Sequence, residues 1–249
     1  MTSPAPDTIT VDRDRLWRSL MDLAEIGAYD DERTGLRGVD RLALTDADAA
    51  GRRQVITWME QAGLAVRIDR MGNVYGRREG TDPTAAPVLT GSHIDSVATA
   101  GHLTVHPDLT NIVPARAELT VDLRNPDDAQ MARAEEALAA FLRDLEKSRP
   151  GLSLTTRRMA KTAYVPFDEE VRKVIAQAAD DHGLAYLSLL SGAGHDAQEI
   201  AALCPAAMIF VRGEYDGISH NPREYSTPEA CAHGVDVLAT TLLRLAGQD

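Results

Sequence analysis

Two side chains suited to hydrolytic or metal chemistry, His93 and Asp95, lie two positions apart directly after the apolar run at residues 87–91. In an extended chain, side chains at this spacing face the same side, so the carboxylate could orient the imidazole or bind a metal ion beside it. A pattern this short also arises by chance, and an ordinary polar turn is the alternative. The pair taken alone is a weak indication of a metal site.

A second polar cluster is the loop at residues 213–226, which stands between an apolar run and the last helix pattern of the chain. α/β proteins present functional side chains in loops of this kind. His220 is the residue of the loop best suited to bind a metal ion. A surface histidine without a function is the alternative interpretation.

A third cluster is the glycine-rich turn at residues 191–197, which includes Gly194 and His195 and opens a helix pattern. The N–H groups at the start of a helix favour anions, so Gly194 and His195 are candidates for binding a substrate carboxylate or an oxyanion. Ser191 or Asp196 could instead act only as a helix cap. The residues of the turn do not separate these two alternatives.

The elements that must position these clusters follow from the spacing of apolar residues. Helix patterns begin at about Arg13 and cover residues 46–63, 127–149, 168–182, 195–203 and 228–245. Strand patterns cover residues 64–70 and 74–77, joined as a hairpin, and residues 87–91, 115–124, 152–156, 184–189 and 206–211. This alternation predicts an α/β fold, in which helices cover both faces of a sheet that contains 87–91, 184–189 and 206–211.

Two of these elements carry more detailed expectations. Strict alternation of apolar and polar residues over 115–124 predicts a half-buried strand. The helix over 127–149 is expected to begin at a cap on Asp127 or Asp128 and to turn an apolar face inward. The inward residues of that face are Leu138, Phe141, Leu142 and Leu145.

The charge balance argues against two classes of partner. The 249 residues include 26 Lys and Arg against 38 Asp and Glu, a formal net charge of −12, and the arginines are scattered. Nucleic acid and anionic membranes are therefore not expected as partners. Two cysteines, Cys204 and Cys231, predict unbridged core thiols in a reducing compartment. No export-signal pattern and no run approaching about 18 apolar residues is visible, so we expect a cytoplasmic protein.

Four motifs in order resemble one known family. They are GSHIDS at 91–96, NIVPARAELTVDLRNPD at 111–127, SGAGHDA at 191–197 and GISHNPREYS at 217–226. Together with the segments LTDADAAGRR and MGNVYGR, they are similar to the amidase, hydantoinase and carbamoylase family of two-metal hydrolases, relatives of the aminoacylase-type metallopeptidases. The resemblance covers nearly the whole chain. It implies a metallopeptidase-like α/β catalytic domain with a second α/β domain, a lid that also mediates dimerisation.

The resemblance also implies a function and a set of site residues. Members cleave carbon–nitrogen bonds of N-carbamoyl amino acids, allantoate or related ureido acids, with two Zn²⁺ or Mn²⁺ ions and a bridging water. His93 and His220 match the first and last metal ligands, and Asp95 matches the catalytic carboxylate that orients the first ligand. Asn111 and Arg124 match residues that hold the substrate carboxylate, for which a planar guanidinium is well shaped.

The chain departs from the family directly after Gly101. There the family continues with a segment that carries the metal-bridging aspartate, then a pair of glutamates, then a further histidine, whereas this sequence passes to HLTVHPDLTNIVPAR. His102 and His106 lie near this junction, but histidines in such places are more often only exposed. The domains implied are 1–101 and 162–249 as two parts of the catalytic domain, and 102–161 as a reduced lid.

The missing segment bears on metal content and activity. Two-metal hydrolysis needs a bridging carboxylate and a base for the water. One ion held by His93 and His220 would have fewer than the three protein ligands usual for catalytic zinc. We therefore expect one ion or none, in a homodimer that accepts a small carboxylate-bearing substrate. The expected function is metal-dependent amide or ureido hydrolysis, and the alternative is a silent remnant that only binds or dimerises.

Overall fold

The computed structural model describes residues 8–32, 34–69, 72–82, 84–94, 103–123 and 127–247. Six α-helices lie in these ranges: α1 (Arg13–Ala24), α2 (Asp46–Gln61), α3 (Asp128–Ser148), α4 (Glu169–Asp181), α5 (Ala197–Ala201) and α6 (Pro228–Ala246). Six short strands accompany them: β1 (Ala28–Asp31), β2 (Leu36–Val39), β3 (Ala65–Ile68), β4 (Val74–Arg77), β5 (Leu103–His106) and β6 (Arg116–Leu119). A single 3₁₀ turn is formed by Tyr215–Gly217.

The long helices start and end close to the predicted positions, because their caps are encoded locally. Thr45 accepts a hydrogen bond from the Asp48 N–H at the start of α2. Asp127 caps α3 as predicted, and Thr227 caps α6, whose first residue is a proline. The helix predicted over 195–203 is reduced to the five residues of α5.

The strands form three separate antiparallel hairpins, β1–β2, β3–β4 and β5–β6. The predicted β3–β4 hairpin is confirmed, with Ala65 opposite Arg77 and Ile68 opposite Val74. This hairpin packs closely on α2: a Cβ on Gly76 would lie 2.8 Å from Leu64 Cδ1 and 3.0 Å from Met59 Sδ. The β1–β2 hairpin was not predicted from the sequence.

The predicted sheet of 87–91, 184–189 and 206–211 is wrong in its detail. In the described part of the chain these segments belong to no hydrogen-bonded ladder. Several apolar side chains within them are exposed, including Leu187 at 84 %, although Leu184 and Ile209 are partly buried. A strand is stable only when a neighbour satisfies its backbone N–H and C=O groups. The apolar runs alone are therefore not sufficient to form a sheet here.

The strands predicted at 115–124 and 152–156 also need correction. Of residues 115–123, which the structure describes, only Arg116–Leu119 pair with another strand, and all four are exposed. The backbone N–H of Leu154 donates to Glu146 Oε1 of α3 at 2.9 Å, so a side chain takes the place of a partner strand there. Phe141 of α3, expected to face inward, is 61 % exposed.

The described residues fall into two compact units. Unit 1 lies within Met1–Ala98, Glu170–Tyr186 and Ile209–Asp249, and unit 2 within Thr99–Glu169 and Leu187–Met208. The core of unit 1 joins α4 and α6 through Ala178, Ala179 and Val237, with Ile175, Leu184 and Ile209 packed around them. The predicted domain boundaries at 101/102 and 161/162 remain a prediction.

The segment before α1 is fixed to α6 by buried polar groups. The Val11 N–H donates to Oδ1 of Asp236 at 2.6 Å, and the Ile9 N–H donates to Oγ1 of Thr240 at 3.2 Å. The imidazole Nε2 of His182, just after α4, lies 2.9 Å from the same Thr240 hydroxyl. These bonds connect the N-terminal segment, α4 and α6 in unit 1.

Unit 2 contains α3, α5 and the β5–β6 hairpin. The segment after α3 is held on that helix by charge, since Arg158 and Lys161 both pair with Glu135, at 2.6 and 3.3 Å. Further along, the Tyr164 N–H donates to Asp128 Oδ1 at 3.3 Å. A lid role for this unit remains a prediction. Among the described residues, no helix has the length and apolar character that crossing a membrane requires.

Candidate functional site

His93 lies in unit 1, exposed, near the end of the segment 84–94, which contains no helix or strand. The next residue, Ile94, is half-buried. Asp95, predicted to orient His93, lies outside the described residues, as does Arg124. The structure therefore gives the position of His93, the first candidate ligand, whereas the orientation of His93 by Asp95 remains a prediction.

Arg41 contacts the His93 segment directly and was not found by sequence reasoning. It lies between β2 and α2 and is only 7 % exposed. Its Nε donates to the carbonyl oxygen of Ile94 at 2.8 Å, and its Nη1 donates to the carbonyl oxygens of Leu23 and Ile26 at 2.8 and 2.7 Å. The only sequence signal was an arginine in a short, largely apolar stretch, which does not name its partners.

His220 lies in a loop of unusual backbone conformation, also in unit 1. Its φ is 56°, and Tyr215 and Asp216 have φ values of 54° and 61°. This left-handed region disfavours residues with a Cβ, and such residues persist only where surrounding contacts hold them. The His220 N–H donates to Oε2 of Glu224 at 2.9 Å, which supplies one such contact.

The two ends of the same loop are joined by backbone and aromatic contacts. The Glu214 N–H donates to the carbonyl oxygen of Tyr225 at 2.8 Å. The Tyr225 ring packs edge-on against Trp17 of α1, with centroids 6.3 Å apart and planes at 88°. Within the loop, the Arg223 guanidinium lies 4.9 Å from the centre of the Tyr215 ring. The loop that presents His220 is thus fixed to α1.

Gly194 and His195 lie in unit 2, at the turn before α5. Here the backbone donors are engaged by the protein's own side chains: the His195 N–H donates to Gln198 Oε1 at 3.2 Å, and the Ala197 N–H donates to His195 Nδ1 at 3.0 Å. Asp196 makes no capping hydrogen bond. The alternative that Asp196 caps the helix is therefore wrong, since the His195 ring accepts the Ala197 N–H instead, and the substrate-binding role of Gly194 and His195 remains a prediction.

Asn111 lies exposed in the turn between β5 and β6 of unit 2. The same unit contains a cleft of about 340 Å³, lined by Pro166, Asp168 and residues 201–206. Asn111, Gly194 and His195 do not line this cleft. The carboxylate-binding role of Asn111 remains a prediction.

The donor set of the described residues does not fit a two-ion metal centre. No three His, Cys, Asp or Glu side chains in the described ranges gather at metal-binding distance. Two ions held about 3.5–4 Å apart need a shared carboxylate as well as ligands on each side. His93 and His220 alone do not provide that arrangement.

Solved structures share this fold. An amidase of the hydantoinase/carbamoylase family from Burkholderia vietnamiensis aligns with a TM-score of 0.88 and 24 % identity, covering 98 % of this chain and 100 % of that one. A second, from Burkholderia multivorans, aligns with a TM-score of 0.78 and 24 % identity, covering 96 % and 99 %. At this level of identity the likeness defines the fold, which is α/β and metallopeptidase-like.

The family itself is defined by sequence. The profile of peptidase family M20/M25/M40 matches residues 59–244, and the chain belongs to that family. Its members that are amidohydrolases generally contain two metal ions. The resemblance to the hydantoinase and carbamoylase group drawn from the four motifs is confirmed.

Curated relatives bear names of related activities. An N-carbamoyl-L-amino acid amidohydrolase of Geobacillus stearothermophilus is 38 % identical over 151 residues, 61 % of this chain and 36 % of that protein. A ureidoglycolate hydrolase of Arabidopsis thaliana is 33 % identical over 159 residues, which are 64 % of this chain and 33 % of that protein. An allantoate amidohydrolase of Bacillus subtilis is 29 % identical over 148 residues, which are 59 % of this chain and 35 % of that protein. In each case the match spans about a third of the relative's length.

Proposed function

We propose that the protein acts on small carboxylates that carry a carbamoyl or ureido group, and that it hydrolyses their carbon–nitrogen bond. The observation that carries this proposal is the match to three differently named relatives. N-carbamoyl amino acids, ureidoglycolate and allantoate share a carboxylate beside a ureido carbon–nitrogen bond. A site for this class needs donors for the carboxylate and a means of activating water.

Five residues are assigned to substrate binding and orientation in this proposal. Arg124 and Asn111 bind the carboxylate, since a guanidinium fork and an amide both donate to it. Gly194 and His195 contribute donors to the substrate, and Asp95 orients His93. The support is the match of these positions to the family motifs, together with the exposure of Asn111 on a turn.

Metal content is the second part of the proposal. We assign His93 and His220 as metal ligands, for Zn²⁺ or Mn²⁺, with one ion bound or none. Imidazole is a ligand suited to both the structural and the catalytic use of zinc. The support is that both histidines are exposed on loops of the same unit, whereas the described residues contain no group of three donors.

A silent binding protein is the second candidate function, and one observation favours it. The described residues contain no group of three His, Cys, Asp or Glu side chains at metal-binding distance, so they do not by themselves form the two-ion centre that would activate water. Binding a carboxylate needs only donors, so ligand affinity can persist without cleavage. This candidate, like the first, is proposed to be a cytoplasmic homodimer without nucleic acid or membrane partners.

One experiment separates the two candidates. Hydrolysis of N-carbamoyl amino acids, ureidoglycolate and allantoate is measured with added Mn²⁺ or Zn²⁺, beside a calorimetric titration with the same compounds. Turnover of about 1 s⁻¹ or more that is abolished in His93→Ala supports the hydrolase and rejects the silent protein. Saturable binding without turnover, lost in Arg124→Ala and retained in the exposed control Arg143→Ala, supports the silent protein. Neither binding nor turnover rejects both.

A further inference from the structure

Arg41 is a buried cation whose partners are backbone carbonyls of distant segments. A guanidinium removed from water is stable only when its donors are satisfied. Three of the five N–H donors of an arginine are accounted for by Ile94, Leu23 and Ile26, at 2.8, 2.8 and 2.7 Å. The three acceptors belong to two segments that are about 70 residues apart in the chain.

Two of the three bonds anchor Arg41 to the end of α1. Leu23 is the penultimate residue of that helix, and Ile26 lies two residues beyond the end of the helix. The last carbonyls of a helix lack partners within the helix and form the negative end of its dipole, so a cation is favoured there. The guanidinium is therefore fixed to a rigid element before it reaches the third acceptor.

The third bond fixes the segment that carries His93. In the described part of the chain, residues 84–94 belong to no strand ladder, so no neighbouring strand holds their backbone. The Arg41 bond to the Ile94 carbonyl restrains the peptide directly after His93. The buried Arg41 side chain thus restrains a segment that, among the described residues, no strand ladder holds.

Gly51 of α2 lets this arrangement form. A Cβ at this position would lie 2.9 Å from Cδ of Arg41 and 3.3 Å from Cδ1 of Ile94. The Ile94 side chain is therefore seated against α2. The neighbouring His93 is exposed, whereas Ile94 is half-buried.

We propose that Arg41 is a positioning residue for His93. By joining the C-terminal end of α1 to the Ile94 carbonyl, it sets the direction in which the His93 imidazole is presented, and Gly51 provides the space for it to do so. The role at a metal or substrate site rests on the proposed function, whereas the restraint on the segment does not.

The test compares Arg41→Met and Arg41→Lys with Arg37→Met. Arg37 is a matched control because it lies on β2 in the same unit and pairs with Glu25 in an exposed ion pair. Amide hydrogen exchange of residues 88–94 and of α6 is followed by mass spectrometry, and the ring signals of His93, assigned with His93→Asn, by NMR. Hydrolysis and carboxylate binding are measured on the same preparations.

We expect Arg41→Met to speed exchange in 88–94 by about tenfold and to shift the His93 ring signals, with α6 unchanged. Arg41→Lys can donate to only some of the same carbonyl oxygens, so its exchange rate in 88–94 should lie between those of Arg41→Met and the parent protein. Arg37→Met should match the parent protein. Exchange in 88–94 within about twofold of the parent, or equal acceleration in α6, overturns the positioning role.

Two further outcomes keep the conclusions separate. If Arg41→Met does not fold, Gly51→Ala provides the second variant, because its methyl group displaces Arg41 and Ile94 while every donor is retained. Faster exchange in 88–94 is expected for it, and unchanged exchange contradicts the proposal. If His93→Ala leaves hydrolysis and binding unaltered, the proposed function fails, and the exchange results still decide whether Arg41 restrains the segment.

Discussion

The backbone N–H of His220 donates to Oε2 of Glu224 at 2.9 Å, while His220 itself has a φ of 56°. The candidate ligand is therefore held in a conformation that an L-residue with a Cβ adopts at a cost of about 1–2 kcal/mol. Local strain of this kind persists where neighbouring contacts enforce it. The Glu224 bond and the Glu214–Tyr225 backbone bond provide that enforcement in this loop.

Because His220 has a positive φ, we expect the usual order of stability between a glycine variant and an alanine variant to be reversed at this position. At ordinary positions a glycine variant is less stable than an alanine variant by roughly 0.5–1 kcal/mol. At His220 the positive φ reverses the order, so His220→Gly should be more stable than His220→Ala by about 1 kcal/mol. Urea unfolding of both variants measures this difference.

The control for that comparison is the pair His93→Gly and His93→Ala. His93 is described and is not among the residues with a positive φ, so alanine should be the more stable variant there. The same order at both histidines would contradict a strained backbone at His220.

The sequence was sufficient where structure is local. The predicted starts of α2, α3 and α6 agree with the structure, in which Thr45, Asp127 and Thr227 cap these helices through interactions within one turn. The β3–β4 hairpin also closes over a short turn. The segments 184–189 and 206–211 were mistaken for strands because apolar runs do not reveal whether a partner lies alongside.

The residues of the candidate site also divide into those that local sequence indicates and those that only tertiary folding brings together. His93 and His220 could be chosen from their motifs, and Glu224 stands only four residues after His220. Arg41 could not be found, because its acceptors at Leu23 and Ile94 become neighbours only through tertiary folding. The spacing from His93 and the resemblance both indicate Asp95, whereas the resemblance alone indicates Arg124, and both roles remain predictions.

Removing the Asp236 carboxylate should destabilise unit 1. Asp236 is 2 % exposed, and its Oδ1 accepts the Val11 N–H at 2.6 Å. Asp236→Ala leaves this donor without its acceptor, so the free energy of unfolding should fall by about 1–3 kcal/mol. Urea denaturation followed by circular dichroism measures the loss. Asp30→Ala, on the exposed face of β1, should change it by less than about 0.5 kcal/mol; equal effects would argue against the Asp236–Val11 bond.

The two free cysteines should differ in their response to pH. Burial raises the pKa of the Cys231 thiol above its ordinary value of 9.0, because desolvation disfavours the thiolate. Thiolate is the reactive form, so iodoacetamide should modify exposed Cys204 first and reach Cys231 only at higher pH or in denaturant. Mass spectrometry of peptides from a pH series checks the order. Cys204→Ser, which leaves Cys231 alone, should become nearly unreactive at neutral pH.

The raised pKa of the Cys231 thiol also determines whether the free energy of unfolding rises or falls with pH. With a higher pKa in the folded state, the folded chain retains the Cys231 proton after the unfolded chain has lost it. Unfolding then releases a proton, and the contribution of this group to stability falls as the pH rises past the ordinary thiol value. In Cys231→Ser this decline should be smaller than in Cys204→Ser. A decline of equal size in both variants would show that the buried thiol is not its source.

The unpaired apolar segments should favour self-association. Leu89, Leu187 and Phe210 belong to segments without a strand ladder in the described structure, and all three are exposed. Unpaired extended backbone with exposed apolar side chains promotes pairing between chains. Sedimentation velocity over a concentration series should show dimers or larger species, reduced in Leu187→Lys. A monomer at every concentration would contradict both this prediction and the proposed homodimer.

Metal retention should be weak and limited to one ion. His93 and His220 offer two imidazoles, and a catalytic zinc site normally has three protein ligands. After dialysis against a trace of Zn²⁺ or Mn²⁺, we expect less than one equivalent per chain by plasma emission spectrometry. His93→Ala and His220→Ala should each remove what is bound. His233→Gln should not, because His233 lies on α6, where it faces Glu229 at 3.9 Å. Two equivalents retained by the parent protein would mean that further ligands complete the site, for which Asp95 and His102, outside the described residues, are the candidates, and would favour the hydrolase over the silent protein.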